Sequence, residues 1–585
     1  MKKKVMLSKV ALDILKARYL RKNEKQQIVE SPEQMFHRVA SIIASVEKQY
    51  NADTADIEKL AQEFYEIMAD FDFLPNSPTL MNADTPIGQL AACFVLPIED
   101  SLDSIYETLK LSAKVHQSGG GTGFSFSKLR PKGDLVKSTM SEASGPISFM
   151  KEFDVATEVI KQGGRRRGAM MATLCVDHPD ILEFIKAKEK EDAFTNFNLS
   201  VLATNSFMEA VINNKDYSMI NPRTGKKQRP VAAKKIFDEI CKSAWRTGDP
   251  GLIFIDEINK KNPTPKAGKI EATNPCGEVP LLPFESCILG SINLDKMLLS
   301  REEELKDAKG KKMKTFPKEE IDWNKLAKTV HKAVHFLDNV IDINRYPDPK
   351  IEKATKANRK IGLGIMGWAE FLIRLGIKYD SEEALKLAEK LMKFIHKEAV
   401  KRSQEIARKK GSFPNFAKST WKKKVSKLRN ATLTTIAPTG TISLIAGCSS
   451  GIEPLFSIAY ERQIMDKEIL LVNPLFEHIA RQRGFYSNHL MNKIKSLISV
   501  QGVKEIPKDV RDLFITAFDI KPEMHVKMQA AFQKYTDNAV SKTVNLNPTA
   551  TVGEVRNIYL LAYQLKCKGI TIFRLGSKKE QVMSL

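Results

Sequence analysis

Asn274-Pro275-Cys276-Gly277-Glu278 places a sulfur between an amide and a carboxylate, three groups suited to a polar substrate. Read as an extended segment, alternate residues share a face. Asn274, Cys276 and Glu278 then project together, with neighbouring side chains roughly 6–7 Å apart. A Pro/Gly turn beside a buried structural cysteine fits the same five residues. Two more cysteines stand in distinctive surroundings: Cys287 within Pro283 to Leu294, and Cys93 behind Ala91 and Ala92. Pro438-Thr439-Gly440-Thr441 offers hydroxyls and backbone N–H groups that can converge on an anion if they open a helix. A Thr-rich turn reads the same way. The run from Ser118 to Phe124, with Gly119, Gly120 and Gly121, says only that the backbone needs room.

These residues need a scaffold, and the rest of the sequence describes one. Residues 1 to about 70 read as helical, with a stripe at Val39, Ile42, Ile43 and Val46. From Phe71 onward, short apolar strands alternate with helices and glycine-rich turns. Leu252–Ile255 and Leu433–Ile436 read as strands, and 181–190, 382–408 and 552–566 as helices. That alternation argues for an α/β architecture with buried, largely parallel strands. Asn221–Pro230 and Arg301–Glu320 read as exposed excursions rather than domain boundaries. The division is a helical region over 1–70 and one large α/β domain over 71–585.

Composition excludes several classes. Of 585 residues, 42% are hydrophobic and 28% charged, which rules out a mainly disordered or multi-span membrane protein. Ninety-two Lys and Arg against seventy Asp and Glu leave +22, a surplus that favours a polyanion, whether nucleic acid or nucleotide phosphate. No RNA- or DNA-binding motif occurs and aromatics are 8%, which speaks against direct nucleic-acid binding. The seven cysteines are odd in number, widely spaced and without a C-x-x-C pair, so neither a disulfide scaffold nor a zinc ribbon is expected, and no metal site is assigned. The apolar residues after Lys4 are interrupted by Lys9, Asp13 and Lys16, so no signal-peptide core forms. The uncharged stretch Asn430–Ile452 contains Pro438 and Gly440 and reads as loops and a buried strand, not a membrane span. The expected location is the cytoplasm.

Taken together and in order, Asn76 to Asn82, Cys93, the glycine run, the Asn274–Glu278 motif, Cys287 and Ala437 to Ser443 resemble the catalytic subunit of ribonucleotide reductases over roughly residues 5–577. The resemblance implies a ten-stranded α/β barrel of two five-stranded halves with a central finger loop. On that loop Cys276 would become a thiyl radical that removes the substrate's 3′ hydrogen. Glu278 would act as general base on the 3′-hydroxyl, and Asn274 would hold the ribose hydroxyls. Cys93 and Cys287 would supply the reducing equivalents and end as a disulfide, which requires Cα atoms within about 7 Å. Cys175, Cys241, Cys448 and Cys567 match no catalytic position and read as buried apolar cysteines. By family position, Pro438, Thr439, Gly440, Thr441 and Ile442 hold substrate phosphates, aided by Ser77 and the Ala92-Cys93 backbone, with Gly121 against the substrate. Asp100, Ser101, Leu102 and Arg130 would contact a dNTP or ATP effector. The segment Lys132–Ser144 would lie beside that effector, and the loop Gln162–Gly168 would relay its identity.

The family divides by how the radical is made. Members that receive it from a metal-containing partner carry adjacent tyrosines near the C-terminus, and here Arg574 and Leu575 stand in those places. No glycyl-radical motif is present. Phe573-Arg574 with Gly576-Ser577 resembles the class II enzymes, which use adenosylcobalamin, although Leu575 stands where these usually carry Asp. The implied reaction is reduction of ribonucleoside di- or triphosphates to 2′-deoxyribonucleotides. The implied partners are a thiol reductant, such as thioredoxin or a separate cysteine-bearing chain, and a second copy in a homodimer. No ATP-cone and no C-terminal cysteine pair are expected. The competing readings are a class I-type large subunit dependent on a metal-containing partner, and an inactive nucleotide-binding regulator.

Overall fold

The computed structural model describes residues 4–160, 168–190, 192–228, 230–299, 319–464, 467–495, 497–577 and 583–584. Helices α1 (Lys9–Arg18), α2 (Pro32–Ala44) and α3 (Thr54–Ala69) come first. Each starts where a side chain answers an orphan N–H: Ser8 for α1, a Ser31/Gln34 capping box with Pro32 for α2, and Asp53 for α3. Val39, Ile43 and Val46 of the expected stripe are buried. The expected helices at 382–408 and 552–566 form as Glu382–Lys410 and Val552–Gln564, whereas 181–190 is helical only over Ile181–Ile185.

The barrel is built from two sets of parallel strands. In the first, β1 (Cys93–Val95), β2 (Gly121–Ser125), β3 (Met170–Cys175), β4 (Phe197–Ala203) and β5 (Gly251–Phe254) pair in sequence order, each parallel to the next. In the second, β6 (Ser286–Asn293) pairs in parallel with β7 (Ile361–Met366). Bridges Leu363↔Thr434 and Ile436↔Val540 carry the ring to β8 (Thr543–Leu546), which pairs in parallel with β9 (Gly569–Arg574). Leu433–Ile436 therefore joins through single bridges rather than a full ladder. The halves meet antiparallel at β1–β6 and β5–β9, which closes the ring. Phe73–Pro75 adds antiparallel to the far end of β6.

The strands are apolar almost throughout because helices cover their outer face and side chains fill the inside. Inside runs a short hairpin, Ala272–Thr273 against Pro280–Leu281, which connects the two halves in sequence. It packs against β1, β2 and β3. The approach is so close that a Cβ on Gly123 would lie 1.7 Å from the Thr273 carbonyl oxygen. Gly123→Ala should therefore lower unfolding free energy by about 2–4 kcal/mol in a urea titration. Gly502→Ala, where nothing lies within 4 Å, should change it by less than about 0.5 kcal/mol.

A buried ionic junction ties the helical region to the barrel. The Glu47 carboxylate accepts from His335 Nε2 at 2.7 Å, Asn339 Nδ2 at 2.9 Å and Lys410 Nζ at 2.5 Å. Burial alone would raise its carboxyl, but His335 and Lys410 overcome that and bring it down to about 2. A carboxyl depressed on folding stabilises fully above its unfolded value near 4.5, and that contribution is lost as pH falls towards 2. Wild-type stability should thus fall between pH 4.5 and 2 by about 2 kcal/mol more than that of Glu47→Gln, measured by denaturant unfolding across that range.

Candidate active site

The hairpin tip is a turn, not the extended segment that the alternation of Asn274, Cys276 and Glu278 suggests. Pro275 fixes one φ, Gly277 adopts φ +79°, and the Gly277 N–H donates to the Asn274 carbonyl at 3.0 Å. The chain reverses there, so the three side chains do not share one strand face. Asn274 and Glu278 are buried while Cys276 is the exposed cysteine of the seven.

Side chains from the barrel wall hold this turn. Asn274 Oδ1 accepts from the Val279 N–H at 2.9 Å, and its Nδ2 donates to Cys93 Sγ at 3.1 Å. The Pro275 ring lies against Gly121, where a Cβ would come within 2.8 Å of Pro275 Cγ. The Pro275 carbonyl accepts from Asn198 Nδ2 at 2.8 Å. On the other leg, the Glu278 carbonyl accepts from the Ala539 N–H at 2.9 Å and Thr435 Oγ1 at 2.8 Å. Asn198 and Thr435 belong to no motif. Their signal in the sequence is a polar side chain within an otherwise apolar strand.

Cys93 and Cys287 are direct cross-strand partners in the β1–β6 ladder. Directly opposed residues of antiparallel strands have Cα atoms about 4.5–5.5 Å apart, inside the range a disulfide spans. Both are free thiols, packed among Val95, Ala272, Val279, Leu281 and Leu289. Burial pushes the Cys93 thiol well up, and Glu278, Cys287 and Cys276 push the same way against the Asn274 amide. Burial also raises Cys287, opposed by Lys360 and reinforced by Glu285 and Glu278. Both thus keep their protons at neutral pH. Asn274, Cys276, Glu278, Cys93 and Cys287 are gathered in one place.

The anion-binding candidates lie at the short helix Ile442–Ala446. Thr439, β-branched, takes φ +55°, with its Oγ1 accepting from the Gly451 N–H at 2.8 Å and its carbonyl from the Ser443 N–H at 2.9 Å. Nothing lies within 4 Å of a Cβ built on Gly440, so that side is open. This helix packs against α1 and Phe73–Pro75, the strand that leads into Ser77. The Ser77 hydroxyl is 2.8 Å from Tyr19 Oη, a neighbour no motif announced. The Ala92 carbonyl accepts from the Gly121 N–H at 2.8 Å, and Gly121 is the ladder partner of Cys93.

Away from this centre, Arg130 Nε donates to Asp100 Oδ2 at 2.9 Å, and Ser101 Oγ caps the helix Leu102–Gln117. Lys132–Ser144 contains a small hairpin, Leu135–Val136 with Ser141–Glu142. Of the loop Gln162–Gly168, all but Gly168 lies outside the described residues. Cys241, Cys448 and Cys567 are buried, but Cys175 is only partly so. The Arg574 guanidinium stacks over the Trp245 ring at 4.2 Å, and its Nε donates to the Trp245 carbonyl at 3.0 Å.

A closed ring of two opposed parallel half-barrels around a cysteine-tipped hairpin defines the class. The chain belongs to the ribonucleotide reductase family: the profile "Ribonucleotide reductase, barrel domain" matches residues 91–573 and "Ribonucleotide reductase, all-alpha domain" residues 5–88. It is 47% identical to the vitamin B12-dependent ribonucleoside-diphosphate reductase of Thermoplasma acidophilum, over 98% of this chain and 80% of that protein. It is 49% identical to the Mycobacterium tuberculosis protein of the same name, over 99% and 81%. The class Id ribonucleotide reductase alpha subunit of Actinobacillus ureae shares the fold, with a TM-score of 0.76, 22% identity and 97% of each chain covered. Among the described residues no helix is long and apolar enough to cross a membrane.

Exposure ranks the thiols. Brief treatment of the native protein with iodoacetamide, followed by peptide mapping, should alkylate Cys276 first, at least about tenfold faster than Cys93 or Cys287. Faster labelling of Cys93 would contradict the burial described here.

Proposed function

We propose that this chain reduces ribonucleoside diphosphates to 2′-deoxyribonucleotides with adenosylcobalamin as radical source. The observation that carries this reading is the exposed Cys276 on a turn whose buried Asn274 bonds to Cys93, itself directly opposed to Cys287, with Glu278 buried beside the turn. The relatives named as vitamin B12-dependent support the cofactor and the diphosphate. The tip is open on the Cys276 side, where the thiol is exposed and nothing lies within 4 Å of a Cβ built on Gly277, which would leave room for the cofactor to approach. Cys276, Gly277 and the exposed Asn198 would border it. Adenosylcobalamin bound there would supply homolytic radical chemistry at the Cys276 thiol.

The chain's own residues then divide the work. The Cys276 sulfur takes the 3′ hydrogen, and Glu278 accepts the 3′-hydroxyl proton. Cys93, kept protonated by burial and by Glu278, gives its proton to the departing 2′-hydroxyl, which leaves as water. Cys93 and Cys287 together deliver two electrons and a second proton to the 2′ carbon and end as a disulfide, and Cys276 then returns the hydrogen it took to the 3′ carbon and becomes the radical again. Asn274 holds the ribose hydroxyls, and Ser77, Ala92, Gly121 and Pro438 to Ile442 hold the phosphates and sugar. A thiol reductant restores Cys93 and Cys287.

Asp100, Ser101, Leu102 and Arg130 bind a nucleotide effector in this reading, and the chain works as a homodimer. Support for the dimer is an apolar face on packed helices Leu102–Gln117 and Pro146–Val159. There Leu102, Tyr106, Val155 and Val159 are 62%, 49%, 63% and 77% exposed.

Anaerobic assay with adenosylcobalamin, a ribonucleoside diphosphate, an effector and a dithiol should yield deoxynucleotide. Cys276→Ser should lower kcat at least about 10⁴-fold while leaving nucleotide affinity within about twofold. Full activity with an iron-containing partner and none with the corrinoid would overturn the cofactor assignment. Val155→Asp with Val159→Asp should give a monomer in analytical ultracentrifugation, and an unchanged dimer would remove this face from the interface.

A further inference from the structure

The two sulfurs of the redox pair sit in unlike electrostatic surroundings. The ionisable neighbours acting on Cys93 are Glu278, Cys287 and Cys276, all anionic when ionised. Cys287 has a cation beside it. The β6–β7 ladder begins at Ile288↔Ile361, so Lys360 stands on the adjoining rung, next to Cys287. Lys360 Nζ is 2.6 Å from Glu285 Oε2, with both side chains 2% exposed. Glu285 lies two residues before Cys287, immediately ahead of β6. Its carboxylate also accepts from the Leu282 N–H at 2.7 Å and Asn358 Nδ2 at 2.5 Å, so its charge is shared among three donors. In this buried setting the ammonium acts on a neighbouring sulfur with little screening. Access differs too: Cys93 is 6% exposed and Cys287 0%.

We propose that Lys360 sets the polarity of the Cys93–Cys287 disulfide: an incoming thiolate attacks Cys93, and Cys287 leaves as a thiolate beside the Lys360 ammonium. This rests on the reading of Cys93 and Cys287 as the redox pair. A bond forms between the external dithiol and Cys93 as the Cys93–Cys287 bond breaks, and its electron pair goes to Cys287. The dithiol's second sulfur then displaces Cys93. The two protons released by the dithiol end on Cys93 and Cys287, so the dithiol is oxidised by two electrons and the protein disulfide reduced by two. Thiol–disulfide exchange runs faster when the leaving sulfur is the better-stabilised thiolate, and Lys360 gives that place to Cys287. Lys360 is a positioning residue here, acting through Cys287 without touching substrate.

The test uses the full chain with its disulfide formed by diamide, so it does not depend on turnover. A short pulse of 2-mercaptoethanol, quenched with N-ethylmaleimide and mapped by mass spectrometry, reports which sulfur carries the mixed disulfide. The expected result is mercaptoethanol on Cys93 and maleimide on Cys287, in at least about tenfold excess over the reverse. Lys360→Met alone would strand Glu285 in the interior, so Lys360→Met is paired with Glu285→Gln to keep the site neutral. The paired variant should be reduced at least about fivefold more slowly by dithiothreitol and lose most of the preference, whereas Lys360→Arg should keep both. Loss of packing alone would lower the thermal midpoint without exchanging the labels. A mixed disulfide chiefly on Cys287 in the wild type, or an unchanged rate and preference in the paired variant, would overturn the proposal. Absence of the disulfide after one anaerobic turnover without reductant would count against the redox-pair reading alone.

Discussion

The hairpin Ala272–Leu281 carries peptide groups into the barrel, where each must find a protein partner because bulk water does not serve them. That requirement explains several of the polar side chains on the barrel strands. Thr173 Oγ1 reaches the Glu271 carbonyl, Asn198 the Pro275 carbonyl, and Thr435 with Ala539 the Glu278 carbonyl. Asn274 closes the turn by accepting at Oδ1 and donates one of its two Nδ2 N–H groups to Cys93. The same bonds that make burial tolerable also fix where Asn274, Cys276 and Glu278 stand. Glycine supplies the room: Gly121 admits the Pro275 ring and Gly123 the Thr273 carbonyl.

A second polar network holds the shell around this centre. Asp338, fully buried, accepts from Arg359, Arg429 and Asn430, and Arg359 also pairs with Asp342. Tyr50 joins through Asp342 and Arg429, next to the Glu47 junction. Burial would raise the Asp338 carboxyl, but Arg359, Arg429 and Lys410 hold it well below the usual range. Such networks add little net stability over apolar packing. Their use here is register: they tie the helical region, the helix Trp323–Ile343, the start of β7 and the approach to Leu433 into one arrangement.

Much of this was legible in the residues. The helical stripe at Val39–Val46, the strand at Leu252 and the long helix from 382 follow from periodicity, a local property. The barrel, the finger and the meeting of Cys93 with Cys287 came through resemblance, because pairing across almost two hundred residues leaves no local trace. The Asn274–Glu278 reading went astray for a definable reason: alternation assumes an extended chain, whereas Pro275 and Gly277 in the same five residues turn it. Asn198, Thr435 and Lys360 were missed because their roles arise from what lies opposite them in space, not from their sequence neighbours.

The position of the hairpin between the two half-barrels has a consequence for biogenesis. During synthesis β1 to β5 emerge first, with both flanking edges unpaired. β1 gains its neighbour when β6 arrives, but β5 waits for Ile570 of β9. Contacts of such sequence separation form slowly, so the hairpin is enclosed only after nearly three hundred further residues have been made. A nascent chain therefore holds its reactive sulfur in an open half-shell, and ring closure and assembly of the centre are a single late event.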